Sequence, residues 1–224
     1  AAMMMAASIL LGIEARLAKT DAMLLFMVVL CMGALARAYL PRHADEPDAH
    51  PAVPFAFWIA LGIGVLLKGP LILMFIGLPI VTLVAIDRST SWLKALRPLI
   101  GIPIFLLLVL PWFAAIVMRT GSTFFSDSIG GDMLSKVYSG QEGHGAPPCY
   151  FIVLFFFTFW PASLLAGMAV PGVWRDKWET PVKFLLAWLV PAWFVFELII
   201  TKLPHYVLPL YPAIAILLAR AIET

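Results

Sequence analysis

LGIGVLLKGPLILMFIGLP, residues 61–79, decides the architecture. Lys68-Gly69-Pro70 breaks a run that is otherwise free of charge, and a Gly-Pro pair ends one helix where another begins. The reading is a helical hairpin, residues 55–67 rising to the break and residues 71–86 returning to Asp87-Arg88. The rest of the chain has the same character. It is 224 residues long, 62% hydrophobic and 12% charged, with a mean hydropathy of +0.98. Soluble domains average roughly 25% charged residues, so this composition excludes a water-soluble fold.

Working outward from the hairpin, the other apolar segments are residues 1–13, 22–39, 99–118, 149–170, 182–200 and 206–219. Runs of roughly 17–25 apolar residues span a bilayer as helices. The fold class is therefore all-α, a polytopic transmembrane bundle, with residues 1–224 as one domain of about seven spans. Residues 89–98, carrying Trp92, Lys94 and Arg97, read as an amphipathic connector. Residues 119–148 form the one sizeable polar loop, and Trp174 to Pro181 a short charged turn. No internal repeat is visible. The chain opens Ala-Ala-Met-Met-Met part-way into an apolar segment, with no cleavable signal pattern, and reads as an N-terminally truncated fragment.

Alternate loops then fall on opposite sides of the membrane. Arg37, Arg42, Arg88, Lys94, Arg97, Arg175, Lys177, Lys183 and Arg220, nine of the fifteen Lys and Arg, share one side. The positive-inside rule makes that side cytoplasmic. Arg16, Lys19, Lys68, Arg119, Lys136 and Lys202 face outward, against the rule. A net charge of +2 without a basic stripe excludes nucleic acid as a partner. Cys31 and Cys149 sit at opposite ends of their spans, roughly 30 Å apart, too far to pair, and read as apolar fillers.

The same threading brings Asp21, Lys68, His144, Lys202 and His205 to the outward face. Ionisable groups near hydrocarbon are expensive, so several at one depth point to a polar site. Lys68 taken alone is either a turn lysine snorkelling to the interface or a fixed cation for an anionic head group. In TKLPHYVLPLYP, residues 201–212, Pro204, Pro209 and Pro212 remove backbone donors and kink the helix. Tyr206 and Tyr211 suit an interfacial aromatic belt, but a belt does not require Lys202 and His205 on either side of Pro204. In EARLAKTDAML, residues 14–24, Thr20 or Asp21 caps the next helix, or Asp21 orients a cation or moves a proton, with Arg16 and Lys19 beside it. Glu197 stands a turn or so before Lys202, either paired with a lysine or held neutral by apolar surroundings.

The loop 119–148 is glycine-rich, and SGQEGHGAPP reads as a mobile cover over a site. Its Glu142 and His144 are two metal-ligand types, too few to define a metal site. A divalent metal stays open as the one candidate cofactor. HADEPDAH, residues 43–50, has ligand types as well, but lies between prolines on the cytoplasmic side and reads as a solvated linker.

KLPHYVLPLYP (202–212), LLKGP (66–70), ARLAKTDAML (15–24) and the Pro-Trp of VLPWF (109–113) resemble the bacterial lipid A 4-amino-4-deoxy-L-arabinose transferases. The same superfamily includes the dolichyl-phosphate-mannose protein mannosyltransferases, integral membrane glycosyltransferases of the GT-C fold. The resemblance spans essentially the whole chain. It implies a sugar donor on a polyprenyl phosphate and an acceptor such as lipid A or a protein. The reaction it implies runs at the outer, periplasmic face of the inner membrane. Asp21 resembles the family's second acidic position, Lys68 its phosphate-facing lysine, and His144 more loosely a loop histidine. The family's acidic motif in the first outer loop has no counterpart here.

On this reading Lys68 and Lys202, with Arg16 or Lys19, bind the donor phosphate, and Asp21 is the catalytic group. His205, Tyr206, His144 and Glu142 contact the substrate. Preorganised cations favour such a reaction because charge grows on the phosphate as the glycosidic bond breaks. The rival reading is a transporter or flippase for an anionic lipid, which the lack of matching halves disfavours.

Overall fold

The computed structural model describes residues 1–17, 19–40, 50–120, 147 and 149–223. All of its regular elements there are helical. They are α1 (Ala2–Ala7), α2 (Ile9–Glu14), α3 (Asp21–Tyr39), α4 (Ala52–Lys68), α5 (Leu71–Asp87), α6 (Pro98–Thr120), α7 (Tyr150–Thr158), α8 (Ala166–Arg175), α9 (Thr180–Leu198) and α10 (Tyr211–Glu223). Short 3-10 helices occupy Ser91–Leu96, Ala162–Leu165 and Pro204–Leu210. Helices suit lipid because each satisfies its own backbone polar groups. Asp21–Tyr39, Pro98–Arg119, Thr180–Leu198 and Pro204–Ile222 are long and apolar enough to cross a membrane, and α4 and α5 are apolar helices of 17 residues. The chain is a multi-pass membrane protein.

The 61–79 hairpin forms as the sequence predicts. α4 ends at Lys68, Gly69 takes φ 66° and ψ −152°, and α5 starts after Pro70. That positive φ is open to glycine and strained for other residues. α3 packs along α4, α4 against α6, and α5 against α9. The α4–α6 contact is close. A Cβ on Gly101 would run into the Trp58 indole, whose Nε1 donates to the Leu96 carbonyl at 2.8 Å. On its other face α6 exposes Leu99, Leu107, Leu110 and Met118, as expected for side chains meeting lipid.

Three segments depart from the threading. Residues 1–13 are two short helices hinged at Ser8, whose hydroxyl donates to the Thr158 carbonyl at 3.0 Å. Residues 149–170 are no single crossing, since α7 and the Ala162–Arg175 stretch bend by 119° about Phe159-Trp160-Pro161. Pro161 lacks the N–H that would continue α7. The final segment begins as a 3-10 turn through Pro204 and Pro209 before α10. Tyr211 is fully buried and its hydroxyl bonds Thr158 Oγ1, so it is a core residue and not part of an interfacial belt. Cys31 is buried as expected, but Cys149 is exposed and does not fill the core.

The bundle has two polar ends. At the far end of α3, Tyr39 donates to Asp87 Oδ2 at 2.6 Å and Lys183 donates to Asp87 Oδ1 at 2.5 Å, tying α3, α5 and α9. Nearby Arg220 pairs with Glu179, and Arg175 Nε donates to Asp176 at 2.8 Å, which holds that carboxyl below its usual range. The 19 residues of α3 place Asp21 about 28 Å from this end, close to a bilayer core.

Candidate active site

Four elements converge at the other end. Asp21 opens α3, Lys68 closes α4 at the hairpin tip, Glu14 closes α2, and His205 lies in the Pro204–Leu210 turn after α9. The Lys68 ammonium donates to Asp21 Oδ1 and forms an ion pair with it. The Asp21 side chain is 6% exposed and that of Lys68 27%, so the cation has a route to water that the anion lacks. Thr20 makes no side-chain cap, so the carboxylate at the start of α3 serves the lysine instead of the helix end. The snorkelling alternative for Lys68 gives way to a fixed one.

His205 lies between the two carboxylates. Its Nδ1 lies 3.8 Å from Glu14 Oε1 and its Nε2 lies 4.0 Å from Asp21 Oδ1. The charges of Asp21, Lys68 and Lys19 all act on the imidazole. Tyr206 is half-buried, its ring edge-on to His205 at 5.2 Å and tilted against Phe196 at 5.6 Å. Lys202 is buried just before that turn, ahead of His205. Arg16 and Lys19 are exposed on the link between α2 and α3. Glu142 and His144 lie outside the described residues.

Glu14 is the participant that the sequence reading passed over as loop polarity. It is 4% exposed, and its Oε2 is buried with no hydrogen-bond partner among the described residues. One oxygen or nitrogen from each of Glu14, Asp21 and His205 falls within 4.8 Å of the others, a set able to hold a metal ion. Glu197, in contrast, accepts from the Phe151 amide at 3.2 Å. It caps the first turn of α7 and is apart from the cluster. An apolar cavity of about 420 Å³ opens beside Glu14 and Pro204, lined by Ile9, Ile13, Phe157 and Trp160.

Residues 1–122, more than half of the chain, match the model of the dolichyl-phosphate-mannose-protein mannosyltransferase family. The chain belongs to this family. That match covers Glu14, Asp21 and Lys68, while His205 lies beyond it. Among curated relatives, the undecaprenyl phosphate-alpha-4-amino-4-deoxy-L-arabinose arabinosyl transferase of Serratia proteamaculans is 29% identical over 193 residues, covering 85% of this chain and 34% of its own. The transferase of the same name from Pseudomonas paraeruginosa is 28% identical over 174 residues, covering 73% and 30%. The chain thus spans about a third of the length of these relatives. The crystal structure of ArnT from Cupriavidus metallidurans bound to undecaprenyl phosphate superposes with a TM-score of 0.79 at 21% identity, over 94% of this chain and 38% of that one. Its apo form gives 0.71 at 22% identity. The mannosyltransferase-family chain therefore has the GT-C fold that its sequence suggested.

Proposed function

We propose that this chain carries the donor-phosphate side of a membrane glycosyltransferase. The enzyme moves a sugar from a polyprenyl phosphate to a lipid A-type or protein acceptor. The observation that carries the reading is Lys68, an ammonium fixed at a hairpin tip on buried Asp21, which His205 also approaches, with an apolar cavity opening at neighbouring Glu14 and Pro204. Family membership and the names of the relatives, which use an undecaprenyl phosphate-linked sugar, support it.

In the reaction the bond between the sugar's anomeric carbon and the phosphate oxygen breaks, and a bond to an acceptor oxygen forms. The lipid phosphate leaves with the electron pair. Lys68 and Lys202 meet the charge that grows there, and Arg16 and Lys19 draw the anion in from the rim. Asp21 holds Lys68 in place before substrate arrives, so little reorganisation is needed during the reaction. His205 and Tyr206 line the sugar side. The cavity along Ile9, Ile13 and Trp160 takes the first isoprene units of the lipid. The donor end of the bundle faces the periplasm of a bacterial inner membrane, and the Asp87–Lys183 end faces the cytoplasm, in keeping with the charge asymmetry of the loops. A hydroxyl acceptor gives its proton to a carboxylate, whereas a phosphate acceptor needs little base assistance.

The test supplies the purified full-length protein with a radiolabelled polyprenyl-phosphate sugar. Label appearing on lipid A or protein, with most turnover lost in Lys68→Ala and Lys202→Ala, is the expected result. Label crossing between leaflets without transfer assigns a lipid transporter instead. Wild-type turnover in both variants removes the phosphate-site assignment.

A further inference from the structure

We propose that Glu14, Asp21 and His205 form a binding site for a first-row divalent cation such as Mn²⁺ or Zn²⁺. Three elements supply the ligands: the end of α2, the start of α3 and the Pro204–Leu210 turn. Their donor atoms already lie within 4.8 Å of one another, so a cation needs only small side-chain adjustments to touch all three. The independent sign of a missing partner is Glu14. Its carboxylate is buried, His205 Nδ1 lies 3.8 Å from its Oε1, and its Oε2 has no hydrogen-bond partner among the described residues. Buried charges are ordinarily paired or coordinate metals. Lys68 pairs with Asp21 through Oδ1.

Asp21 can serve both partners, because a carboxylate offers two oxygens and Lys68 occupies Oδ1. Two carboxylates and one imidazole suit Mn²⁺ or Zn²⁺ better than Ca²⁺ or Mg²⁺, which favour all-oxygen shells. Three protein ligands also leave positions open, the pattern of sites that take a further oxygen from water or substrate. The site is independent of the lipid-phosphate reading, since it fills or stays empty without any donor.

The experiment uses metal-stripped full-length protein in nanodiscs and titrates Mn²⁺, reading the free ion by electron paramagnetic resonance. One saturable equivalent is expected, weakened at least tenfold in Glu14→Gln and in His205→Ala and unchanged in Glu197→Gln. Electron spin-echo modulation of the Mn²⁺-loaded wild type is expected to show coupling to an imidazole nitrogen, a readout that needs no variant to fold. Absence of saturable binding overturns the proposal, as does binding that both substitutions leave intact. A bound ion without nitrogen coupling overturns it too. None of these results bears on transfer of label from the lipid donor, which is measured separately.

Discussion

Replacing Lys68 by alanine strips the cation from a buried carboxylate, whereas replacing Asp21 by asparagine leaves an ammonium that still reaches water. The asymmetry follows from side-chain exposures of 27% for Lys68 and 6% for Asp21. Removing one partner of a buried pair costs about 3–5 kcal/mol. Partial exposure of the pair screens it, so Lys68→Ala falls near the lower bound, about 3 kcal/mol. Asp21→Asn removes both the charge and the need for a counterion, and costs about 1 kcal/mol. The double variant has neither an orphaned anion nor an orphaned cation. It is expected at about 1.5 kcal/mol, a coupling of about 2.5 kcal/mol between the sites. The assay is reversible unfolding of the four proteins in mixed micelles at constant pH and ionic strength. Equal costs for the single variants, adding to the double within about 0.5 kcal/mol, would refute an ion pair between these residues.

Gly101→Ala should destabilise the α4–α6 contact by about 1–3 kcal/mol, because its Cβ meets the Trp58 ring; a shift in tryptophan fluorescence would accompany it, and an unchanged melting curve would contradict the contact. Tyr211→Phe removes a hydroxyl bonded to Thr158 in the core and is expected to lower stability by about 1 kcal/mol while leaving helix content intact by circular dichroism. Lys183→Met acts at the opposite end on a partly exposed pair with Asp87. Its cost should be below about 1 kcal/mol and should shrink as salt is raised.

The hairpin tip was legible because Lys68-Gly69-Pro70 breaks an apolar run at one point, leaving a single place for the turn. The meeting of residues 21, 68 and 205 followed from counting spans, since each lies at an even or odd loop of known parity. Glu14 was not legible. It follows an apolar run that hydropathy ends one residue earlier, and hydropathy does not show the break at Ser8 that separates α2 from α1. The break in FFFTFWPASLL was hidden for a related reason: residues 155–165 stay mostly apolar on both sides of Pro161, and hydropathy carries no information on direction. Tyr211 suits an interface and a core equally well by composition. The buried Thr158 hydroxyl beside it decides between them, and that pairing is separated by 53 residues of chain.

Affinity for the lipid phosphate alone probes the donor site most directly. Binding of a short-chain polyprenyl phosphate to the full-length protein in nanodiscs can be compared between wild type, Lys68→Ala and Lys183→Met. Loss of one charge-assisted contact weakens binding by about 10- to 100-fold. That loss is expected for Lys68→Ala, with Lys183→Met within about threefold of wild type because its cation lies a membrane thickness away. Equal affinity in wild type and Lys68→Ala would contradict the account.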